Sequence, residues 1–214
     1  AGGSTIDTRE ALRIINRNAI HLHKLINDLL DISKIEAGRV QIDKTRVVLS
    51  SLIDEVRVNF LRSFEEKGLR FRVVYGPGVP DVVRTDPVRL GQILTNLIGN
   101  GLKFTDRGEV RIAIEFESHA EGDIDGRLVV RVCDSGIGIP ADKIKNLFQP
   151  FVQVDSSDRR QYAGTGLGLA ISRQLARALG GSLILEKSQA RQGSVFRLSL
   201  PVEKLALVSQ TAKE

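Results

Sequence analysis

Asn96 and Asn100 stand four residues apart in N-L-I-G-N-G-L-K-F-T, and Lys103 follows three residues later, directly before Phe104. On a helix, spacings of three and four bring side chains to one face. Amide oxygens are hard donors of the kind Mg2+ accepts, and a lysine beside them adds positive charge for phosphate. For any single asparagine the reading as polar helix surface wins; three matching groups in one register, directly before Phe104, shift the reading to a site. Further on, Asp134 opens D-S-G-I-G-I-P after the apolar run Leu128–Cys133. A carboxylate there accepts a hydrogen bond from an exocyclic amine, and Gly136 and Gly138 let a planar base lie against backbone. Gly164-Thr165-Gly166-Leu167-Gly168-Leu169 then leads into a helix, where unpaired backbone amides attract phosphate. The polar stretch before it, Val152–Ala163, contains Arg159, Arg160 and Tyr162 and is expected to form a mobile lid over phosphates. Together these signals describe a nucleotide pocket. No G-x-x-x-x-G-K-[ST] occurs, so the phosphates are not held by a P-loop. Gly136-x-Gly138-x-x-Ala141 formally matches a dinucleotide fingerprint, but Pro140 and the short following helix fit it poorly, and it leaves the second glycine cluster unused.

The elements that position these groups follow from periodicity. From Thr8 to Ala37, Leu12, Ile15, Ala19, Leu22, Ile26 and Leu29 alternate at spacings of three and four. That is a seam that wants a partner helix, closed by Gly38. A short extended piece at Thr45–Leu49 precedes a helix over Leu52–Lys67, capped by Ser50 or Ser51 and stopped at Gly68. Arg70–Tyr75 and Val82–Thr85 read as strands. Asp86-Pro87 starts the asparagine-bearing helix, with Asp86 as cap and Leu90, Ile93, Leu94, Leu97 and Ile98 as its buried face. Glu109–Glu117 and Leu128–Cys133 read as strands, Asp142–Phe148 as a short helix and Gly166–Leu179 as a longer one. Ser182–Glu186 and Ser194–Leu200 read as closing strands. Helices and strands mix without strict alternation, which predicts an α+β two-layer sandwich with helices on one face of a mixed sheet. The boundary with the seam helix is expected near Gly38–Lys44.

Composition narrows the class. The chain has 214 residues, 42% hydrophobic and 27% charged, which suits a globular domain with one extra element. No apolar run reaches the ~18 residues of a membrane span and no signal peptide is visible. Ala1-Gly2-Gly3-Ser4 resembles an expression scar, and methionine is absent, so the chain is expected to be part of a larger protein. The single cysteine, Cys133, fits a reducing compartment and is expected to be a buried structural thiol. Net charge is +5, but the basic residues are scattered, which argues against nucleic acid and suits an acidic small ligand.

These residues carry a resemblance. D-P-V-R-L-G-Q-I-L-T-N-L-I-G-N-G-L-K-F-T resembles the N box, D-S-G-I-G-I the G1 box, L-F-Q-P-F (Phe148 and Phe151) the F box and G-T-G-L-G-L the G2 box of a bacterial sensor histidine kinase catalytic domain. That domain has the Bergerat fold shared with DNA gyrase B and MutL, and the match covers about Ser50 to Pro201. L-I-N-D-L-L-D-I-S-K-I-E-A-G resembles the second helix of the dimerisation and phosphotransfer hairpin, and F-Q-P-F-V-Q-V-D-S-S resembles hybrid kinases. The resemblance implies residues 1–4 as scar, 5–44 as partial dimerisation region, 45–203 as ATP-binding domain and 204–214 as tail. It implies ATP or ADP and Mg2+ as ligands. Asn100 would bind the metal, with Asn96 beside it; Lys103 would contact phosphate and Phe104 would pack at the nucleotide. Asp134 would receive the adenine amino group, with Gly136 and Gly138 behind it. Gly164, Thr165, Gly166, Leu167 and Gly168 would cradle phosphates, with Arg160 in the lid. The implied reaction is transfer of the γ-phosphate to a histidine, then relay to an aspartate of a response regulator or receiver domain. The parent would be a homodimer, with this portion cytoplasmic and any membrane anchor elsewhere in the parent. A regulatory nucleotide-binding module and a Bergerat-type serine kinase or ATPase are the alternatives.

Four departures touch the N box, the lid and the glycine boxes: Gly101 for Ala, Gln161 for Lys, Ala163 for Gly, and Arg191 for the first glycine of the late G-x-G-S box. A fifth concerns the acceptor. No His followed by an acid and Arg-Thr-Pro occurs; His21, His23 and His119 stand in other contexts. The chain is therefore expected not to phosphorylate itself.

Overall fold

The computed structural model describes residues 8–118, 125–152 and 165–206. The chain divides into two compact units, Ala1–Arg39 and Val40–Glu214. The first holds one helix, α1 (Thr8–Glu36). It ends at Gly38, with the Arg39 amide donating to the Lys34 carbonyl at 2.8 Å. Its seam residues Leu12, Ile15, Leu22, Ile26 and Leu29 are all exposed.

The second unit is a mixed sheet with helices on one face. Its elements are β1 (Thr45–Val48), α2 (Leu49–Lys67), β2 (Arg70–Tyr75), β3 (Val82–Thr85), α3 (Pro87–Phe104), β4 (Glu109–Ser118), β5 (Asp125–Asp134), α4 (Ala141–Ile144), α5 (Gly168–Ala178), β6 (Ser182–Gln189) and β7 (Gly193–Leu205). The strand order is β1-β3-β7-β5-β4-β2, and β6 also pairs with β7. The long β7 accommodates this because β3 takes its far end, at 203–205, while β6 takes its beginning, at 193–199. Only β2 and β4 run parallel; the other pairs are antiparallel.

Alternation within the strands creates the two faces. Val110, Ile112 and Ile114 of β4, Leu128, Val130 and Val132 of β5 and Phe196, Leu198 and Leu200 of β7 are buried under the helices. The intervening residues carry a charged layer: Arg131 bridges Glu115 at 2.7 Å and Glu186 at 2.8 Å, and Arg197 reaches Glu117 at 3.2 Å. Cys133 belongs to this alternate set and is only half-buried, so the expectation of a buried thiol is corrected by strand parity.

Asp86 caps α3 as its position before Pro87 predicts: its Oδ1 accepts the Arg89 amide at 3.0 Å. Leu90, Ile93, Leu94, Leu97 and Ile98 are buried, which sets α3 between α2 and α5 on the sheet. Phe64 of α2 stacks on Phe71 of β2, centroids 4.4 Å apart. Neither Ser50 nor Ser51 caps α2. The helix begins at Leu49 with Val48 at the cap position and no side-chain cap; the Leu49 amide donates to the Asp81 carbonyl at 2.9 Å, which places Ser50 and Ser51 inside the first turn. The helix expected over Asp142–Phe148 stops at Ile144, and bonds three residues apart, such as Leu147 to Ile144, carry it on as tight turns.

Candidate nucleotide-binding site

Asn96 and Asn100 lie on α3 beside its buried stripe, on the flank that meets α5. Asn96 is half-buried, and its Nδ2 donates to Ser172 Oγ of α5 at 2.9 Å. Its Oδ1 occupies the space above Gly168, where any Cβ would collide with it. Glycine at the first residue of α5 thus leaves room for the Asn96 amide, and a side chain there would have to displace it. The face of α3 that the spacing of Asn96, Asn100 and Lys103 marks as a site is thus partly a helix–helix contact. Asn100 is half-buried too, and its amide makes no hydrogen bond among the described residues.

Lys103 sits one turn further. Its Nζ lies 4.6 Å from the centroid of the Phe104 ring, and partial burial lowers its pKa below the ordinary lysine value. The carbonyls that end α3 are held from behind. Lys67 Nζ donates to the Leu102 oxygen at 2.7 Å and to the Lys103 oxygen at 3.2 Å. Sequence reasoning missed this cation at the C-terminus of α3; the only signal was a lysine in the last turn of α2.

Asp134 ends β5. Its Oδ1 accepts the Gly136 amide at 2.9 Å and the Ser194 amide at 3.2 Å, which leaves Oδ2 without a protein donor among the described residues. Desolvation raises the Asp134 pKa, and the two amides pull it back part of the way. Gly136 is pressed against the Phe104 carbonyl oxygen, so the end of α3 and the Asp134 loop meet without room for a side chain. The Ile137 amide donates to the same oxygen at 3.2 Å. Gly138 has a φ of 69° and lies against the Gln189 carbonyl, at the β6–β7 turn. That turn closes with the Gln192 amide on the Gln189 oxygen at 3.0 Å, and it holds Arg191 at a φ of 62°. The Arg191 amide donates to Ile137 at 2.7 Å. Arginine thus occupies a left-handed position that favours glycine. Gly101 is buried, and a Cβ there would lie 3.1 Å from both methyls of Val110, so the usual alanine would fit only tightly.

The glycine cluster is described from Thr165 onward. Thr165 Oγ1 accepts the Leu167 amide at 3.1 Å, and α5 starts at Gly168 with no side-chain cap. Its first amides are therefore open to an anion. The Phe151 amide donates to the Gly166 oxygen at 3.1 Å, tying the F-box end to the glycine-box end. Phe148 packs edge-on against Phe196 and carries the Arg173 guanidinium 4.9 Å above its ring, a pairing with no sequence signal. Arg160, Gly164 and most of the expected lid, together with His119, lie outside the described residues. His21 and His23 both belong to α1, and the His23 ring pairs with the Asn27 amide at 3.2 Å.

Among the described residues no cluster of three or more His, Cys, Asp or Glu can hold a metal. A cation beside Asn100 would rest on amide oxygen, phosphate and water. That donor set suits Mg2+, which keeps much of its hydration. Among the same residues no helix is long and apolar enough to cross a membrane.

Residues 85–204 match the family described as histidine kinase-, DNA gyrase B- and HSP90-like ATPases. The signal transduction histidine-protein kinase BarA of Escherichia coli is 41% identical over 188 residues, 88% of this chain and 20% of that protein. The autoinducer 2 sensor kinase/phosphatase LuxQ of Vibrio cholerae is 35% identical over 197 residues, 92% of this chain and 22% of that protein. The chain thus spans about one fifth of the length of these curated relatives. Among solved structures, full-length ShkA in complex with AMPPNP superposes with a TM-score of 0.78 at 29% identity, covering 96% of this chain and 41% of that one. ThkA in complex with the response regulator protein TrrA gives 0.66 at 25% identity, covering 94% and 52%. With the mixed sheet and the N, G1, F and G2 boxes assembled around one site, the chain belongs to the histidine kinase-, DNA gyrase B- and HSP90-like ATPase family, as the catalytic ATP-binding domain of a sensor histidine kinase.

Proposed function

We propose that this domain binds ATP with Mg2+ and passes the γ-phosphate to a histidine on a segment outside this sequence, for relay to a response-regulator aspartate. The observation that carries the reading is the meeting of the polar flank of α3 with the uncapped start of α5, Asn96 lying against Gly168 and Ser172. In this reading Asp134 Oδ2 accepts the adenine amine, and Gly136 and Gly138 bring backbone close to the base. Phe104 packs at the nucleotide. Asn100 offers its amide oxygen to the cation, with Asn96 beside it. Lys103 and the amides of Gly164, Thr165, Gly166 and Gly168 take the phosphates, Leu167 anchors that run with its amide on Thr165 Oγ1, and Arg160 closes over them. Mg2+ supplies charge neutralisation at the phosphates when bound. The protein's part is positioning and electrostatic stabilisation; the acceptor histidine supplies the nucleophile. The exposed seam of α1 supports a homodimeric parent, and the relative ThkA, seen with a response regulator, supports a receiver as partner.

The test is to join this chain to the acceptor-bearing helix of its parent and supply ATP labelled in the γ-phosphate. Phosphoprotein stable to base and labile to acid is expected. Tight ATP binding with no transfer would favour the regulatory module, and acid-stable phosphoserine the serine kinase.

A further inference from the structure

Behind Asp134 a row of three residues crosses three strands. Asp134 of β5 pairs with Ser194 of β7, and Ser194 pairs with Ser188 of β6. Cross-strand partners share a face of the sheet, so the three side chains stand in line. A bulge makes this so. Between Leu185 and Lys187 the register of β6 on β7 slips by one residue. Without the slip, the pairing of Leu185 with Phe196 would run on to place Lys187 opposite Ser194. One inserted residue thus sets a hydroxyl, not a lysine, in the row that ends at the carboxylate.

That hydroxyl is tied to the Asp134 loop by contacts whose donors are fixed. The Ile139 amide donates to Ser188 Oγ at 2.8 Å, and the Ser194 amide donates to Asp134 Oδ1 at 3.2 Å. The single hydroxyl proton of Ser188 turns to the Gly193 carbonyl at 3.3 Å or to Ser194 Oγ at 3.0 Å. In either state the oxygen still accepts from Ile139. Gly193, at a φ of 89°, lies against the Asp134 carbonyl with no room for a side chain. Ser188 therefore meets the loop at both ends, at Ile139 directly and at Asp134 through the Gly193–Ser194 segment.

Resting on the nucleotide reading above, we infer that Ser188 is a positioning residue for base selection, which sets the Asp134 carboxylate by holding residues 134–139 against the β6–β7 turn. Ser188 acts through Ile139 and Ser194. Its loss blunts the distinction between a base that carries an exocyclic amine and one that carries a carbonyl oxygen in the same place. Packing of the hairpin alone would need only a small side chain there.

The experiment measures two affinities for this chain with Mg2+ present, by displacement of a fluorescent ATP analogue. One ligand is ATP; the other is inosine triphosphate, which has an oxygen where adenine has its amine. Wild type is compared with Ser188→Ala, Ser188→Thr and Ser188→Cys. In Ser188→Ala, ATP affinity is expected to fall about 5–10-fold, the size of one hydrogen bond, while inosine triphosphate changes less than about 2-fold. Ser188→Thr keeps the hydroxyl and restores the ratio. Ser188→Cys, near-isosteric with a weak acceptor, falls between and serves in place of Ser188→Ala should that variant not fold. The Ile139 amide, followed by nitrogen-edited NMR, should lose protection from exchange in Ser188→Ala and regain it in Ser188→Thr. Equal losses for the two nucleotides would reduce Ser188 to a packing residue and overturn the inference. So would an unchanged ATP affinity in Ser188→Ala. Wild type that binds neither nucleotide would instead overturn the nucleotide reading itself, and wild type that binds both equally would remove base selection by Asp134; the inference would go with either.

Discussion

Helices α1 and α3 have the same kind of sequence and opposite fates. Each repeats apolar residues at spacings of three and four. In α3 that stripe disappears into the core, with Ile93, Leu94 and Ile98 at 0% exposure. In α1 the equivalent residues remain in solvent, Leu12 at 60% and Ile15 at 63%. Periodicity reveals that a face wants burial; it does not reveal whether the partner belongs to the same chain. Helix α3 finds its partners within the sheet and beside α2 and α5, and the flank that meets α5 carries Asn96 and Asn100.

The comparison is broken most directly in the core. Leu94→Ala should destabilise the sandwich by about 2–5 kcal/mol, from lost burial plus the cavity left behind. Denaturant melts at two temperatures read this. A loss under 1 kcal/mol would mean that α3 is no better packed than α1.

The next largest effect concerns the ligand. Asp134→Ala should weaken ATP binding roughly 10–100-fold, because a charge-assisted hydrogen bond worth ~1.5–3 kcal/mol is lost from a desolvated pocket. Calorimetric titration at wild-type affinity would remove Asp134 from the base-reading role. The same variant leaves the Gly136 and Ser194 amides without their Oδ1 acceptor, so the apo protein should lose about 1–3 kcal/mol of stability, less whatever is regained by removing a desolvated carboxylate. The Asp134 pKa is raised by burial, so its contribution to stability is present below its unfolded pKa and lost as pH rises through the folded one. The ionised carboxylate is a cost that the ligand offsets.

Lys103 shows the converse at the other end of the site. Its lowered pKa means that ATP affinity should begin to fall on the acid side of the ordinary lysine value of about 10.4, as the ammonium loses its proton. Phosphate restores the charge, so binding in that window takes up a proton. Calorimetry in two buffers of different ionisation enthalpy measures the uptake, and Lys103→Met should abolish it. For stability the sign is also fixed: a depressed base contributes above its unfolded pKa and loses that contribution as pH falls through the folded value.

Much of this site was legible in the residues because its parts are local. Asp86-Pro87 states its own cap, Asp134 precedes its own glycines, and Gly166 to Gly168 precede their own helix. What could not be read is what one element does for another at long range. Asn96 meets Ser172 across 76 residues, and Lys67 holds the end of α3 from 35 residues away. Neither contact has a spacing to betray it. The failed serine cap of α2 has the same cause: the Asp81 carbonyl, 32 residues after Leu49, holds the Leu49 amide where the helix begins, so Ser50 and Ser51 fall inside its first turn. Arg191 is an intermediate case. Its departure from a glycine pattern was visible, while the left-handed backbone that makes it matter was not. Arg191→Gly should stabilise the sandwich by about 1 kcal/mol, the usual penalty for a side chain at that position of the turn, read as a rise in melting temperature. A fall would mean that the guanidinium makes contacts worth more than its strain.

The smallest effect on the sandwich is the sharpest test of the comparison. Leu22 is 58% exposed on α1, so Leu22→Glu removes little buried area and should change unfolding of the Val40–Glu214 unit by less than about 0.5 kcal/mol. Its effect should appear instead in association. Leu12, Ile15, Leu22, Ile26 and Leu29 form one apolar stripe, and each side chain buried against a second copy gains roughly 1.5–3 kcal/mol. Light scattering across a concentration series should therefore show wild type self-associating and Leu22→Glu less so, at the same melting temperature. A wild type that stays monomeric at high concentration, unchanged by Leu22→Glu, would show that the stripe needs a partner of different sequence. If instead Leu22→Glu lowers the melting temperature of the sandwich, the seam is already in use within the chain, and α1 resembles α3 more than its exposure suggests.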